Sequence, residues 1–404
     1  MLRPGSFALT LLLALLTGIG PLSVDMYLAS LPDIGRLLGA STAQVQLTIS
    51  FYLIGFAVAQ VFYGPLSDRH GRRPVLLAAI GVYLAATLAC ALASTIETLI
   101  AARFVQAIGG SGTIVLARAV VRDMYDGVRI GRELSRMAAI MALAPLAAPL
   151  MGGVLQTAFG WRSNFVTLFA VGAVAAIMVW MLLPETLRRR APETVSIVSI
   201  LRSYRRFLGE RVFVIHLGIA TCCMAGLFAW ISTAAFVLQD IYGLSPLAFG
   251  FAFAVGSSGY LIGTIIAARF VIGWGADRTM GLGVVAMAAG GIVLVLVVAG
   301  GWHVVVGLIL GVGLYFAGMG LALPQAQAGA LLPFPDRAGA ASSLLGFTTQ
   351  TISAVVGAVL GHVLGDSAWP LAIAVALAGC IAVALWASTH TARERGAGRS
   401  APPE

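Results

Sequence analysis

Eleven stretches of this chain carry no Asp, Glu, Lys or Arg, and all but one of them are at least twenty residues long. They run 4–24, 37–67, 74–96, 104–117, 137–161, 163–184, 212–239, 241–268, 279–335, 338–365 and 367–392. A helix needs about 20 apolar residues to cross about 30 Å of hydrocarbon, so each long stretch is a candidate span. The ninth is too long for one helix, and Gly300-Gly301-Trp302-His303 supplies a turn and an interfacial aromatic in its middle. It holds two spans, which makes twelve. The fourth is too short, because fourteen residues rise only about 21 Å. Helix 4 therefore takes in Arg103, Arg118 or both. With 59% hydrophobic and 10% charged residues, a water-soluble fold is excluded.

The cations choose the sides. The chain has 25 basic residues, all Arg. An even span count puts both termini on one side. There lie arginines 3, 69, 72, 73, 118, 122, 129, 132, 136, 188, 189, 190, 202, 205, 206, 211, 269, 278, 337, 393, 395 and 399, leaving only Arg36, Arg103 and Arg162 on the other. Short cytoplasmic loops hold the positive charge of polytopic membrane proteins, so the termini are expected in the cytoplasm. The net charge of +9 is topology on this reading, and no nucleic-acid partner is expected. Arg3 and the apolar run after it superficially look like a signal peptide. No small-residue cleavage site clearly ends that run, and it exceeds an h-region in length, so it reads as an uncleaved first span.

The longest polar interval, 185–211, follows span six and carries seven arginines. The expected organisation is a six-helix bundle over 1–190, a cytoplasmic linker over 191–211, a second six-helix bundle over 212–390 and a disordered cytoplasmic tail over 391–404. TVSIVSILRSYRRFL in the linker is amphipathic and basic, the pattern of a segment lying on the membrane surface. GPLSDRHGRRP after span two has a degraded echo in RFVIGWGADRTMG after span eight, as a duplicated half would leave.

In GPLSDRHGRRP, Gly64 and Gly71 permit close approach and a tight turn. Pro74 suits the first turn of span three, and Asp68 can face a helix N-terminus of the other half. Arg69, Arg72 and Arg73 can pair with acids or lipid phosphates. Charge alone would equally support a topology-setting loop. The ordered spacing of Gly, Asp, Arg, Gly, Arg and Arg resembles the signature loop of the major facilitator superfamily. RFVQAIGGSG (103–112) resembles that superfamily's second motif. LAPLAAPLMGG (143–153) is similar to its exporter motif, with Ala148-Pro149 where Gly-Pro is usual. Pro145, Pro149, Gly152 and Gly153 there can bend helix 5 and admit a close neighbour; ordinary small-residue packing is the alternative. PLSVDMYLASLP, GWRSNF, PETL and SAWP narrow the resemblance to the Bcr/CflA drug-resistance subfamily, with Ala29 where that pattern has Pro. The resemblance implies an all-α fold of twelve transmembrane helices in two pseudo-symmetric six-helix bundles. It also implies proton-coupled efflux of small drug-like molecules of the bicyclomycin or phenicol type across the bacterial inner membrane. A metabolite, amino-acid or dipeptide exporter of the same fold is the alternative.

Asp25 is the expected proton-coupling residue, being the acid flanked on both sides by apolar helix-1 sequence. An intramembrane carboxylate costs about 2.5–3.5 kcal/mol at a helix centre, and a group that is cheaper uncharged suits a carrier that loads and unloads a proton. If 4–24 spans alone, Asp25 sits at the interface; MYLASL continuing the helix to Pro32 favours the inner position. Arg103 matches Asp25 in depth by helix rise, which allows a direct or water-mediated pair; a hydrogen-bond hub tying helix 4 to its neighbours is its other reading. Thr17 lies eight residues before Asp25, where some relatives carry a second acid, so one carboxyl must serve.

A cavity for varied drugs wants aromatics, methionines and amides. Tyr27, Tyr52, Gln60, Gln106, Met141, Phe236, Tyr260, Tyr315 and Gln350 are candidates from central parts of spans, with packing or lipid-facing roles as alternatives. The four cysteines show neither metal-ligand spacing nor a disulfide framework. No Cys/His/Asp grouping has the spacing of a catalytic site, and no signalling domain is expected. Neither an enzyme nor a metal site is expected. The expected partners are a small-molecule drug, protons and the bilayer. The energy source is the proton gradient, with no cofactor, and the chain is expected to act as a monomer.

Overall fold

A computed structural model describes residues 6–125, 129, 133–134, 136–137, 140, 143–187, 204–301, 305–334, 338–365 and 367–397. Among these no strand occurs. Thirteen α-helices follow in order: α1 (Phe7–Asp25), α2 (Leu31–Leu38), α3 (Thr42–His70), α4 (Arg72–Leu92), α5 (Ile96–Met124), α6 (Ala144–Phe159), α7 (Arg162–Leu182), α8 (Arg211–Ala235), α9 (Pro246–Trp274), α10 (Ala276–Ala299), α11 (Val305–Leu331), α12 (Ala338–Val363) and α13 (Trp369–Ala397). Eleven spans are long and apolar enough to cross a membrane, with α1 and α2 counted as one over Phe7–Leu38. The shorter apolar α6 makes the twelfth. α5 takes in both Arg103 and Arg118, as its length requires. Gly300 and Gly301 turn the chain between α10 and α11. Most of the expected linker (191–203) and the end of the tail (398–404) lie outside the described residues, as does Met141.

Local chemistry sets the boundaries. Ser6 caps α1, Ser41 and Gln44 form a capping box on α3, and Thr95 and Thr98 form one on α5; each satisfies backbone N–H groups that a helix start leaves unpaired. The first span is the irregular one. Pro32 has no N–H to offer the Leu28 carbonyl four residues back. The Leu31 N–H takes that carbonyl instead, three residues on, and Leu28–Ser30 tightens into a 3₁₀ turn. The helix then resumes as α2 and ends at Gly39, whose φ of 62° is left-handed. The span thus ends at Leu38 rather than Pro32, a correction to the sequence reading.

The contacts group into two compact units. Unit 1 comprises residues 1–196, 231–254 and 357–362, and unit 2 comprises 197–230, 255–356 and 363–404. In unit 1, α5 is central and packs on α1, α3 and α4, while α7 packs on α4 and α1. Close approach is written in glycine: a Cβ on Gly109 of α5 would lie 2.6 Å from the Ala79 carbonyl of α4. In unit 2, α10 packs on α11 and α13, and a Cβ on Gly283 of α10 would lie 2.6 Å from the Gly318 carbonyl of α11. Phe207, from the described end of the linker, is buried against Phe213 and Phe334, while Arg205 and Arg206 stay exposed.

Candidate functional site

Asp25 is the last residue of α1 and is 6% exposed. Among the described residues its carboxyl has no hydrogen-bond or ion-pair partner. It sits at the junction where the α-helix gives way to the 3₁₀ turn.

Arg103 is fully buried two turns into α5. It does not pair with Asp25. Its Nη1 donates to the Ser23 carbonyl at 2.9 Å and to Gln106 Oε1 at 2.5 Å. Its guanidinium lies between two rings, 4.4 Å from the centroid of Tyr27 and 4.2 Å from that of Tyr52. The reason is the helix break. Because α1 stops at Asp25, the Ser23 carbonyl is among the last four of a helix, which lack intrahelical donors. A cation at a helix C-terminus is favourable, and Arg103 is spent there. The network continues from Gln106 Nε2 to Thr87 Oγ1 at 2.9 Å, and Tyr83 and Ser23 hydroxyls meet at 2.8 Å. Tyr27 and Thr48 hydroxyls meet at 2.6 Å. Arg103 is thus the hub that joins α1, α3, α4 and α5.

That hub absorbs several residues expected in a cavity. Tyr27, Tyr52 and Gln106 are at most 1% exposed. Tyr315 is equally buried in unit 2, its hydroxyl donating to the Cys222 carbonyl at 2.8 Å. Phe236 is 5% exposed at the end of α8. Gln60, Tyr260 and Gln350 keep partial exposure. Gln350 Oε1 is buried and accepts no bond.

The motif between spans two and three is mostly helix. α3 runs on to His70, so Gly71 alone separates it from α4. Gly64 is helical and a Cβ there would meet nothing, so it allows no close approach. Gly71 has φ 100° and ψ 151°, a region open essentially to glycine alone, and a Cβ there would lie 2.5 Å from Glu185 Oε2. Glu185 accepts the Arg72 N–H at 2.9 Å and the Arg73 N–H at 3.2 Å. An anion, Glu185, thus sits on the N-terminus of α4. Asp68 pairs with Arg72 Nη1 at 2.6 Å, and Arg72 Nε reaches Asp123 of α5 at 2.9 Å. Arg73 Nη2 donates to the Trp180 carbonyl at 2.5 Å. Arg69 stays exposed. The motif is a clamp joining the arginine-rich ends of α3, α4, α5 and α7.

In α6, Pro145 lies in the first described turn and Pro149 inside the helix. A Cβ on Gly152 would strike the Met26 carbonyl, and one on Gly153 would lie 2.5 Å from the Pro246 carbonyl of α9. The small residues therefore press α6 against the residue after Asp25 and against the start of α9, all within unit 1.

The three features are thus a clamp at a one-residue turn, a buried arginine hub and a glycine-faced α6. The family model described as Major Facilitator Superfamily matches residues 13–358. The chain belongs to the major facilitator superfamily. This facilitator is 34% identical over 354 residues to "Uncharacterized MFS-type transporter YdgK" of Bacillus subtilis (strain 168), covering 86% of this chain and 87% of that one. It is 30% identical over 395 residues to "Multidrug resistance protein D" of Escherichia coli (strain K12), with 96% of each covered. It is 28% identical over 393 residues to the "Bicyclomycin resistance protein homolog" of Haemophilus influenzae, with 95% and 96% covered. In fold it is similar to the xylose transporter XylE from E. coli, with a TM-score of 0.73 at 14% identity over 94% of this chain and 96% of that one.

Sequence reasoning missed the acids that close the facilitator's clamp. Asp123 directly follows Arg122, and Glu185 lies in PETL. With only 16 acids in the chain, asking which arginine each one serves would have singled out Asp123, whereas Glu185 serves backbone N–H groups and leaves no such signal.

Proposed function

We propose that this chain is a drug:proton antiporter of the Bcr/CflA type. It exports small drug-like molecules of the bicyclomycin or phenicol class across the bacterial inner membrane. The relatives matched along nearly their whole length and named for multidrug and bicyclomycin resistance support that cargo. The arginine-rich side faces the cytoplasm, with both termini there. The halves 1–190 and 212–390 rock about a central site to expose it to each side in turn. The proton gradient supplies the energy without a cofactor, and one chain suffices.

The observation that carries proton coupling is Asp25: a buried carboxyl with no partner among the described residues, placed where the first span changes its helical winding. Adding or removing a proton there changes the charge of a group with no counter-ion among the described residues to mask it. Arg103 serves beside it by holding the end of α1 in place. Protonation from outside favours drug release, and deprotonation toward the cytoplasm favours loading. Asp25→Asn removes the titrating group at nearly constant volume. Reconstituted Asp25→Asn should insert normally, bind drug and show no uptake driven by a pH gradient. Gradient-driven uptake equal to that of the unaltered protein would remove Asp25 from the mechanism.

A further inference from the structure

Helix α8 changes its winding before it ends. After Ala235 the backbone widens into a π turn over Phe236–Ile241, a feature that is frequent at functional sites. Gln239 lies in that turn, and its Nε2 donates to the Ala29 carbonyl at 3.0 Å. Ala29 is the middle residue of the 3₁₀ turn Leu28–Ser30. An underwound and an overwound segment therefore meet through one side-chain bond, both within unit 1.

The 3₁₀ turn begins three residues after Asp25 and is held on its other sides as well. Ser30 Oγ donates to Gln156 Oε1 at 2.6 Å and accepts from Asn164 Nδ2 at 3.0 Å. Gln156 Nε2 in turn donates to Asp33, which pairs with Arg36 at 2.5 Å. Gly152 of α6 backs the Met26 carbonyl. A shift in the winding at Asp25 has to move the carbonyl that Gln239 holds.

Elsewhere in unit 1, polar side chains are buried with nothing to bond. Among the described residues both amide atoms of Gln46 and the hydroxyls of Ser50 and Ser232 lack partners, and the three residues are at most 2% exposed. They face the 357–362 segment of α12. A Cβ on Gly361 would strike Gln46 Oε1, and one on Gly357 would lie 2.7 Å from Ser232 Oγ and 3.5 Å from Ser50 Oγ. Buried polar groups without partners are unfavourable, and each recovers its bonds when water reaches it. A seam lined by such groups resists opening less than an apolar one would.

We infer that Gln239 is a positioning residue for transport: its bond to Ala29 latches the arginine-poor side of unit 1 shut and ties that closure to the break in the first span that carries Asp25. The coupling half of this inference rests on the reading of Asp25 as the proton site; the latch does not. The amide N–H is the working group. Gln239→Glu keeps the shape and replaces the donor by an acceptor aimed at a carbonyl, and Gln239→Leu removes both polar atoms.

The test is accessibility from the outer side. Ser232→Cys is introduced after Cys90, Cys222, Cys223 and Cys380 are replaced by Ala, and right-side-out vesicles are treated with a membrane-impermeant thiol reagent. Gln239→Leu and Gln239→Glu should each raise the labelling rate about fivefold, the population shift expected when one net hydrogen bond is lost, with the melting temperature lowered by no more than about 2 °C. Equal rates overturn the inference. Faster labelling with a melting temperature lowered by more than about 2 °C marks general loosening and overturns it too. A second measurement needs no cysteine replacement: in Gln239→Leu, amide exchange should quicken across 28–38 and 236–244 and not in α10 or α11, and unchanged exchange at 28–38 overturns the latch. The Asp25→Asn uptake assay is read separately. Its failure removes the coupling and leaves the labelling result standing, whereas failed labelling removes the latch and leaves Asp25 untouched.

Discussion

At the scale of single residues, Arg103 shows why arginine and lysine differ. Its guanidinium serves the Ser23 carbonyl, Gln106 and two aromatic faces at once. A lysine ammonium keeps the charge and loses the planar fork and the stacking. Arg103→Lys should destabilise the protein by about 2–4 kcal/mol, since a charged hydrogen bond contributes about 1.5–3 kcal/mol and a desolvated cation–π contact about 2. Chemical unfolding in detergent micelles checks this, and a loss under about 1 kcal/mol would contradict the hub. Gly71 and Gly64 make a matched pair. Gly71→Ala forces a side chain into a glycine-only conformation, at about 1–3 kcal/mol, and onto Glu185. Gly64→Ala adds a methyl in open space inside a helix, which should be neutral or stabilising by about 0.5–1 kcal/mol. Drug resistance conferred on a sensitive host, normalised to protein level, should fall at least tenfold for Gly71→Ala and stay unchanged for Gly64→Ala.

At the scale of elements, the first span and α6 act together. Pro32 tightens the backbone after Asp25, and the small face of α6 fits against the Met26 carbonyl that this irregular stretch presents. Any side chain at position 152 pushes the two apart, because backbone cannot yield as a flexible side chain can. Gly152→Ala should abolish drug-driven exchange in vesicles while the protein still inserts and keeps its helical circular dichroism. Retained exchange would show that α6 tolerates displacement from the first span. Gly160 also has a positive φ, 78°, yet a Cβ there meets nothing. Gly160→Ala tests backbone strain without the packing clash and should retain most exchange.

At the scale of the whole molecule, the arginine distribution predicts orientation. Green fluorescent protein fused after Glu404 should fluoresce, and alkaline phosphatase fused there should be inactive, while phosphatase inserted at Ala40 should be active. The reverse pattern would invert every step of the proposed cycle. The span count, the split ninth stretch and the arginine inside α5 were all legible in the chain, because hydrocarbon thickness and the cost of burying charge act on any sequence in the same way. The clamp was half legible: its arginines and Gly71 stand together in one motif, whereas Asp123 and Glu185 come from 51 and 113 residues beyond Arg72 and reach it only through packing. The partner of Arg103 was not legible. Depth along a helix placed it level with Asp25, but the choice between that carboxyl and the Ser23 carbonyl depended on where α1 breaks. Likewise Tyr27, Tyr52, Gln106 and Tyr315 have the chemistry of a cavity and the burial of a core. Composition and spacing act along one dimension and settle what crosses the membrane. Which way a side chain turns, and which carbonyl a broken helix leaves open for it, is settled by neighbours that are remote in the chain.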